Sequence, residues 1–203
     1  PKPSSAASDV YKRQISEGCT GIIEAVTRRM RAGIADLPDG RYEFTDVLDD
    51  DGMGTTNIPI CVKIDIQSDE IWLNFEGSAS QVAGNMNNSF AGLQASVLFA
   101  LKVLIDPDGP TNHGMLGPVH IDAPEASVVN ASFPAATAAR AQTCQRIIDV
   151  ILGALAPAVP ERVIAACNGA NGVATFSGEG PDGQYYLYME TIGGGAGGRS
   201  YQD

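Results

Sequence analysis

The chain has 203 residues, 44% of them apolar and 18% charged, which describes a folded protein with room for one sizeable core rather than a disordered one. A formal net charge of −11, with no cluster of Lys and Arg, argues against nucleic acid or an anionic membrane surface as a partner. No apolar run reaches the roughly 18 residues of a transmembrane helix, and Cys19, Cys61, Cys144 and Cys167 lie far apart without a CxxC pair, as expected of reduced, mostly buried thiols in a cytoplasmic protein.

Residues 1–14, PKPSSAASDVYKRQ, share no pattern with the rest of the chain and read as a non-native or disordered leader, so the fold reading starts at residue 15. They show no charged-then-apolar signal sequence. Apolar positions Ile15, Cys19, Ile22, Ile23, Val26, Met30 and Ile34 predict a helix over 15–36 that Leu37-Pro38-Asp39-Gly40 stops. A strand is expected near Tyr42–Val47, followed by an acidic loop from Asp46 to Asp51. Strict alternation of Ile58, Ile60, Val62, Ile64 and Ile66, a turn at Gln67–Asp69, and Ile71, Leu73 and Phe75 predict a hairpin with one buried face. Asn88 or Ser89 is placed to cap a helix marked by Phe90, Leu93, Val97, Leu98, Leu101 and Leu104, which Asp106-Pro107-Asp108-Gly109-Pro110 ends. A Pro-punctuated segment over 111–134 holds a short strand at Pro118–Ile121. Thr137 is read as the cap of a helix with the face Cys144, Ile147, Ile148, Ile151, Leu152 and Leu155. Pro160 suits the first turn of a further helix. Val173–Phe176 and Tyr185–Thr191 predict a second hairpin closed by Gly180-Pro181-Asp182-Gly183. The order implies an α+β fold, its mostly antiparallel strands and hairpins packed with three to four helices. The stop at Tyr201-Gln202-Asp203, without a cap or polar tail, points to an internal fragment of a larger fold, with 15–203 as a partial domain.

The stretch Trp72–Asn88 carries Gln81, Asn85, Asn87 and Asn88 in one turn ahead of an apolar helix. Buried amides need partners, so such a cluster faces a ligand, a partner or another part of the chain. The run Gly193-Gly194-Gly195-Ala196-Gly197-Gly198-Arg199 follows a strand. It reads as a turn or close strand packing, as an anion cradle with Arg199 as its charge, or as a subunit or active-site contact. His113 and His120, with Asp122, lack the further ligand that a metal site needs, and no metal ligand is assigned. No GxSxG elbow supports a serine nucleophile. The run Asp46, Asp49, Asp50, Asp51 lacks EF-hand spacing and reads as a solvated loop. Glu190, on a tyrosine-rich strand just before the glycines, is a candidate acid, base or anchor.

Seven blocks in order resemble the hydantoinase B/5-oxoprolinase family. They are Leu37-Pro38-Asp39-Gly40 with Tyr42; Phe75-x-Gly77 with Gln81, Gly84 and Asn87; Pro110-x-Asn112-x-Gly114; Ala123-Pro124-Glu125; Phe133-Pro134-Ala135-Ala136; Pro160-Glu161-Arg162-Val163; and Glu190 with Gly193, Gly194, Gly195 and Gly197. Asn74 stands where an Asp is common and Ala126 where a Gly is common, which puts one polar contact and one turn in question.

The resemblance implies a B-type subunit of an enzyme that opens cyclic amides such as hydantoins, 5-oxoproline or lactams. It implies a hydantoinase A-type partner whose actin-like half uses ATP and Mg to activate the carbonyl, and a divalent Zn or Mn held by an HxxD-type setting outside this chain. A related ketone carboxylase on the same plan, or a non-catalytic assembly module, is the alternative. Low-ranked catalytic candidates are Glu190 and Gln81. The candidates for contact with substrate or partner are Gln81, Asn85, Asn87, Asn112, Gly194, Gly195 and Arg199. No cofactor is expected on this chain itself, and the chain alone is expected to be inactive.

Overall fold

The computed structural model of the chain describes residues 5–169 and 172–199. Helix α1 spans Ser5–Ala35, strand β1 Gly40–Asp50, β2 Thr56–Gln67, β3 Glu70–Asn74, helix α2 Phe90–Ile105, β4 Val119–Asp122, helix α3 Arg140–Leu155, β5 Gly172–Glu179 and β6 Tyr185–Ile192, with a 3₁₀ turn at His113–Leu116. The architecture is mixed α+β with three α-helices and mainly antiparallel pairing, as the pattern predicts.

The alternating residues of β2 explain the core. Ile58, Ile60, Val62, Ile64 and Ile66 are each at most 1% exposed, because a period-2 strand puts them all on one face. Over that face lie Leu93, Val97 and Leu101 of α2, Ile147, Val150 and Ile151 of α3, and Met30 and Ile34 of α1, in one cluster. The main sheet has the order β1-β2-β3-β4. Pairs β1–β2 and β2–β3 are antiparallel, with Phe44 opposite Val62 and Ile64 opposite Leu73. Pro59 removes a ladder donor from β2, but β3 begins its pairing only at Lys63, so Pro59 sits where that side of β2 is an edge. The chain after β3 covers this edge: Ala79 N–H donates to Pro59 O, and Ser78 Oγ accepts from Cys61 N–H.

Several elements differ from expectation. Strand β4 pairs parallel with β3, Ile71 opposite Val119. Parallel neighbours need a long crossover, and α2 with the 3₁₀ turn provides it, so one βαβ unit sits in an otherwise antiparallel sheet. Helix α1 runs back to Ser5 instead of starting at Ile15, so residues 5–14 are helical, while residues 1–4 of the expected leader lie outside the described residues. Its exposed stripe Tyr11, Ile15 and Ile22 continues the buried stripe Val26, Met30 and Ile34. Helix α3 starts at Arg140 and has no side-chain cap; Thr137 serves only through its carbonyl, which accepts from Arg140 N–H. Pro160 opens a turn and not a helix. Cys19 is exposed, since the first half of α1 stands clear of the core, and Cys61, Cys144 and Cys167 are half-buried, contrary to the mostly buried thiols expected. The second hairpin, β5–β6, forms with Phe176 opposite Tyr188, as a separate two-stranded sheet.

Candidate functional site

Most of the amides that open the α2 connection serve the chain itself. Asn87 is fully buried; its Oδ1 accepts from Val82 N–H at 2.8 Å, and its Nδ2 donates to the carbonyls of Val82, Gly84 and Ala136. Every polar valence of that side chain goes to backbone, so it is a structural hub rather than a ligand contact. Gln81 Oε1 accepts from Ser132 N–H at 2.9 Å, which fastens the loop beyond β4. Asn85 is exposed and lines a second cleft of about 450 Å³ with Asp51, Gln142 and Arg146. Asn88 is fully buried, and neither amide atom has a hydrogen-bond partner among the described residues. Ser89, not Asn88, caps α2 by accepting from Gly92 N–H.

The acidic run is not wholly a solvated loop. Asp51 is 5% exposed; its Oδ1 accepts from Met53 and Thr55 N–H and its Oδ2 from Gly84 N–H. The carboxylate thereby ties the β1–β2 turn to the amide-rich loop. Burial raises its pKa, but the backbone donors outweigh burial and hold it below the usual carboxylate range. Gly84 has no room for a side chain, because a Cβ there would overlap the Asp51 carbonyl.

The remaining sequence candidates scatter. Asn112 Oδ1 accepts from Gly114 N–H at 2.8 Å and caps the 3₁₀ turn. Glu190 lies exposed on β6, where the Tyr188 phenol donates to it. Gly194 and Gly197 are explained by close packing: a Cβ on Gly194 would overlap the Asn168 side chain, and one on Gly197 the Ala165 backbone. Ala165 and Asn168 N–H donate to the carbonyls of Gly198 and Gly195, and Ile164 bridges to Arg199. Gly195 meets nothing within 4 Å. His120 stacks on Trp72 with ring centroids 4.8 Å apart and binds Glu70, which in turn binds Arg31 of α1.

The seam at 164–168 and 195–199 closes one side of a cleft of about 700 Å³ bordered by Phe99, Ile148, Asp149, Arg162, Cys167 and Arg199. Arg199 is the one sequence candidate that reaches it. Asp149 was not among the candidates. Its side chain is 8% exposed, with Arg146 Nη1 at 3.7 Å and the Cys167 thiol at 3.9 Å. Burial holds Asp149 above the usual carboxylate range; Arg146 and Cys167 pull it down without overcoming that, and Asp46 adds to the rise. Arg146 also binds Asp46 of β1, while its Nε is buried without a partner among the described residues. Asp149 thus lines the cleft as a largely buried carboxyl beside Arg146 and the Cys167 thiol, and Arg162 and Arg199 border the same cleft, an arrangement suited to proton exchange and to holding an anion. The sequence signal available for it was Arg146 and Asp149 at i and i+3 on the polar side of α3, opposite the apolar face that defined the helix.

Caprolactamase subunit beta from Pseudomonas jessenii is 30% identical over 197 residues, spanning 94% of this chain and 33% of that protein. The 5-oxoprolinase of Saccharomyces cerevisiae is 30% identical over 186 residues, 88% of this chain and 14% of that protein. The chain thus spans a third or less of these relatives. Among solved structures, the ATP-dependent caprolactamase from Pseudomonas jessenii matches at 28% identity with a TM-score of 0.75, over 89% of this chain and 31% of that one. Nucleotide-free acetone carboxylase matches with a TM-score of 0.70 over 87% of this chain and 26% of that one; at 14% identity it shows a shared fold alone. The family model for hydantoinase B/oxoprolinase matches residues 7–203, and the chain belongs to that family.

Proposed function

We propose that this chain is part of a B-type subunit that opens a cyclic amide, such as a hydantoin, 5-oxoproline or a lactam, together with an ATP-using A-type partner. The family match over 7–203 carries the reading, and the likeness to an ATP-dependent caprolactamase supports the hydrolytic branch. ATP with Mg on the partner would supply activation of the ring carbonyl. Among the described residues no three of His, Cys, Asp and Glu gather as a ligand set. No step is routed through a divalent Zn or Mn here. No helix among the described residues is long and apolar enough to cross a membrane.

Within this reading the cleft beside α3 contacts the substrate or product. Arg162 and Arg199 suit the ring carbonyl or the carboxylate that ring opening releases. Asp149, with its raised pKa, suits proton exchange with the amide nitrogen. A ketone carboxylase subunit is the second reading, since acetone carboxylase shares the fold. The longer polypeptide, purified with its A-type partner, separates the two. ATP-dependent hydrolysis of 5-oxoproline, hydantoin or caprolactam is expected, and Asp149→Asn is expected to lower kcat by about a hundredfold while the complex persists. Uptake of bicarbonate into a ketone would select the carboxylase, and absence of both activities would overturn the enzymatic reading.

A further inference from the structure

Asp149 shares its arginine with a second carboxylate. Arg146 and Asp149 stand one turn apart on α3, and Asp46 reaches them from β1. A close approach of helix to strand sets that register. Gly153 lies on Phe44, where a Cβ would meet the ring at 2.8 Å. Asp46 follows Phe44 by two residues on the same face of β1, and Asp149 precedes Gly153 by four on the same side of α3, so the two carboxyls come to one place.

Arg146 Nη1 lies 2.5 Å from Asp46 Oδ2 and 3.7 Å from Asp149 Oδ2. Packing fixes the guanidinium there: Nη2 lies over Gly169, 2.8 Å from where a Cβ would stand, and Nε is buried without a partner among the described residues. Asp46 is also held from its own strand, its Oδ1 accepting from Val47 N–H at 2.8 Å, and its side chain is 34% exposed against 8% for Asp149. Of two carboxyls beside one cation, the wetter and better-bonded one takes the charge, and the drier one is left able to hold a proton. The other titratable or charged groups around Asp149 are the Cys167 thiol, 3.9 Å away on the seam, and Glu161, Arg162 and Arg199 on the border of the cleft. Asp46 is the member of this set that β1 contributes. Without its charge, Arg146 would have Asp149 as its remaining carboxylate, already within ion-pair reach.

We propose that Asp46 is a positioning residue for Asp149: by holding Arg146 toward β1 it stops the guanidinium from closing onto Asp149, and so leaves that carboxyl a proton to exchange with substrate. This rests on the reading of Asp149 as the proton-exchanging group. The test uses the longer polypeptide that carries this chain, with its A-type partner, in wild-type, Asp46→Asn and Arg146→Gln forms. Infrared difference spectra, with Asp149→Asn as the blank, follow the Asp149 carboxyl without turnover, and kcat is measured against pH alongside. In Asp46→Asn, which keeps the side-chain shape, the Asp149 midpoint and the limb of the kcat profile that belongs to it are expected to move to lower pH by about one unit. In Arg146→Gln both are expected to move the opposite way. A purely structural pair would lower thermal midpoints and scale kcat at every pH without moving the limb, and that result overturns the proposal. Infrared midpoints that stay put, or that move the same way in both variants, overturn it too and leave the enzymatic reading standing. Opposite infrared shifts with an unmoved kcat profile would remove Asp149 from the rate-limiting chemistry and the proposal with it. If the wild-type complex turns over no substrate, the functional reading itself fails, whatever the infrared midpoints do.

Discussion

At the scale of single residues, buried polar groups decide the local geometry. Asp51 is held below the usual carboxylate range because three backbone donors outweigh its burial. A depressed native pKa means that its stabilisation is fully present above the unfolded-state pKa of about 3.9 and is lost as pH falls through the lower native value. Asp51→Asn turns one acceptor into a donor facing a backbone N–H. The variant should melt several degrees below wild type at neutral pH, and the two should converge in acid. Thermal midpoints from neutral pH downward check this, and a constant gap would mean that charge is not the cause. Ala126 shows a second residue effect. Its φ is 55°, in the left-handed region that a Cβ disfavours, which fits the Gly that the family resemblance leads one to expect there. Ala126→Gly is expected to raise unfolding stability by up to about 1 kcal/mol, read by urea denaturation; a loss would mean that unfolded-chain entropy outweighs the strain. Asn74, the other departure, keeps its polar contact by accepting from Glu76 N–H at 2.7 Å, as an Asp would. The amide cluster itself was legible as a set of groups needing partners. That the partners are backbone groups around 126–139 was not, because nothing in residues 81–88 encodes which distant carbonyls will face them.

At the scale of elements, legibility followed the strength of the period. Strand β2 was plain because five β-branched residues alternate without interruption. Helix α2 was plain from its apolar stripe and its Ser89 cap. Strand β4 was found but not its direction, since four residues carry no record of a parallel neighbour reached across a helix. The start of α3 was misplaced because a Thr three residues early mimics a cap that packing does not use. The hairpin β5–β6 gives a prediction of its own. Val173, Leu187 and Met189 share one face, Phe176, Tyr186 and Tyr188 the other, and all are at least half exposed. A two-stranded ribbon is marginal by itself, and apolar residues on both faces call for cover on both. In the 203-residue chain the amides of β6 should exchange with solvent orders of magnitude faster than those of β2, and they should become protected in the longer polypeptide with its partner. Hydrogen exchange read by mass spectrometry decides it; equal protection of both strands in the short chain would show that the ribbon is self-sufficient.

At the scale of the whole molecule, family and fold were legible because the blocks that carry them are Gly, Pro and Asn positions that fix turns, and turns are written locally. The cleft was not legible, since its border draws on Phe99, Asp149, Cys167 and Arg199, brought together only by tertiary packing. The seam that closes it has a further consequence. Gly194 and Gly197 let the backbone at 195–199 lie directly on 164–168, so the chain leaves the core at Asn168 and rejoins it at Gly195. The hairpin β5–β6 between those two points is held at its neck by this seam. That neck also holds Arg199 at the border of the cleft that Asp149 lines. The ribbon is in that sense tethered rather than loose, and a bulkier residue at Gly194 or Gly197 would loosen that tether first.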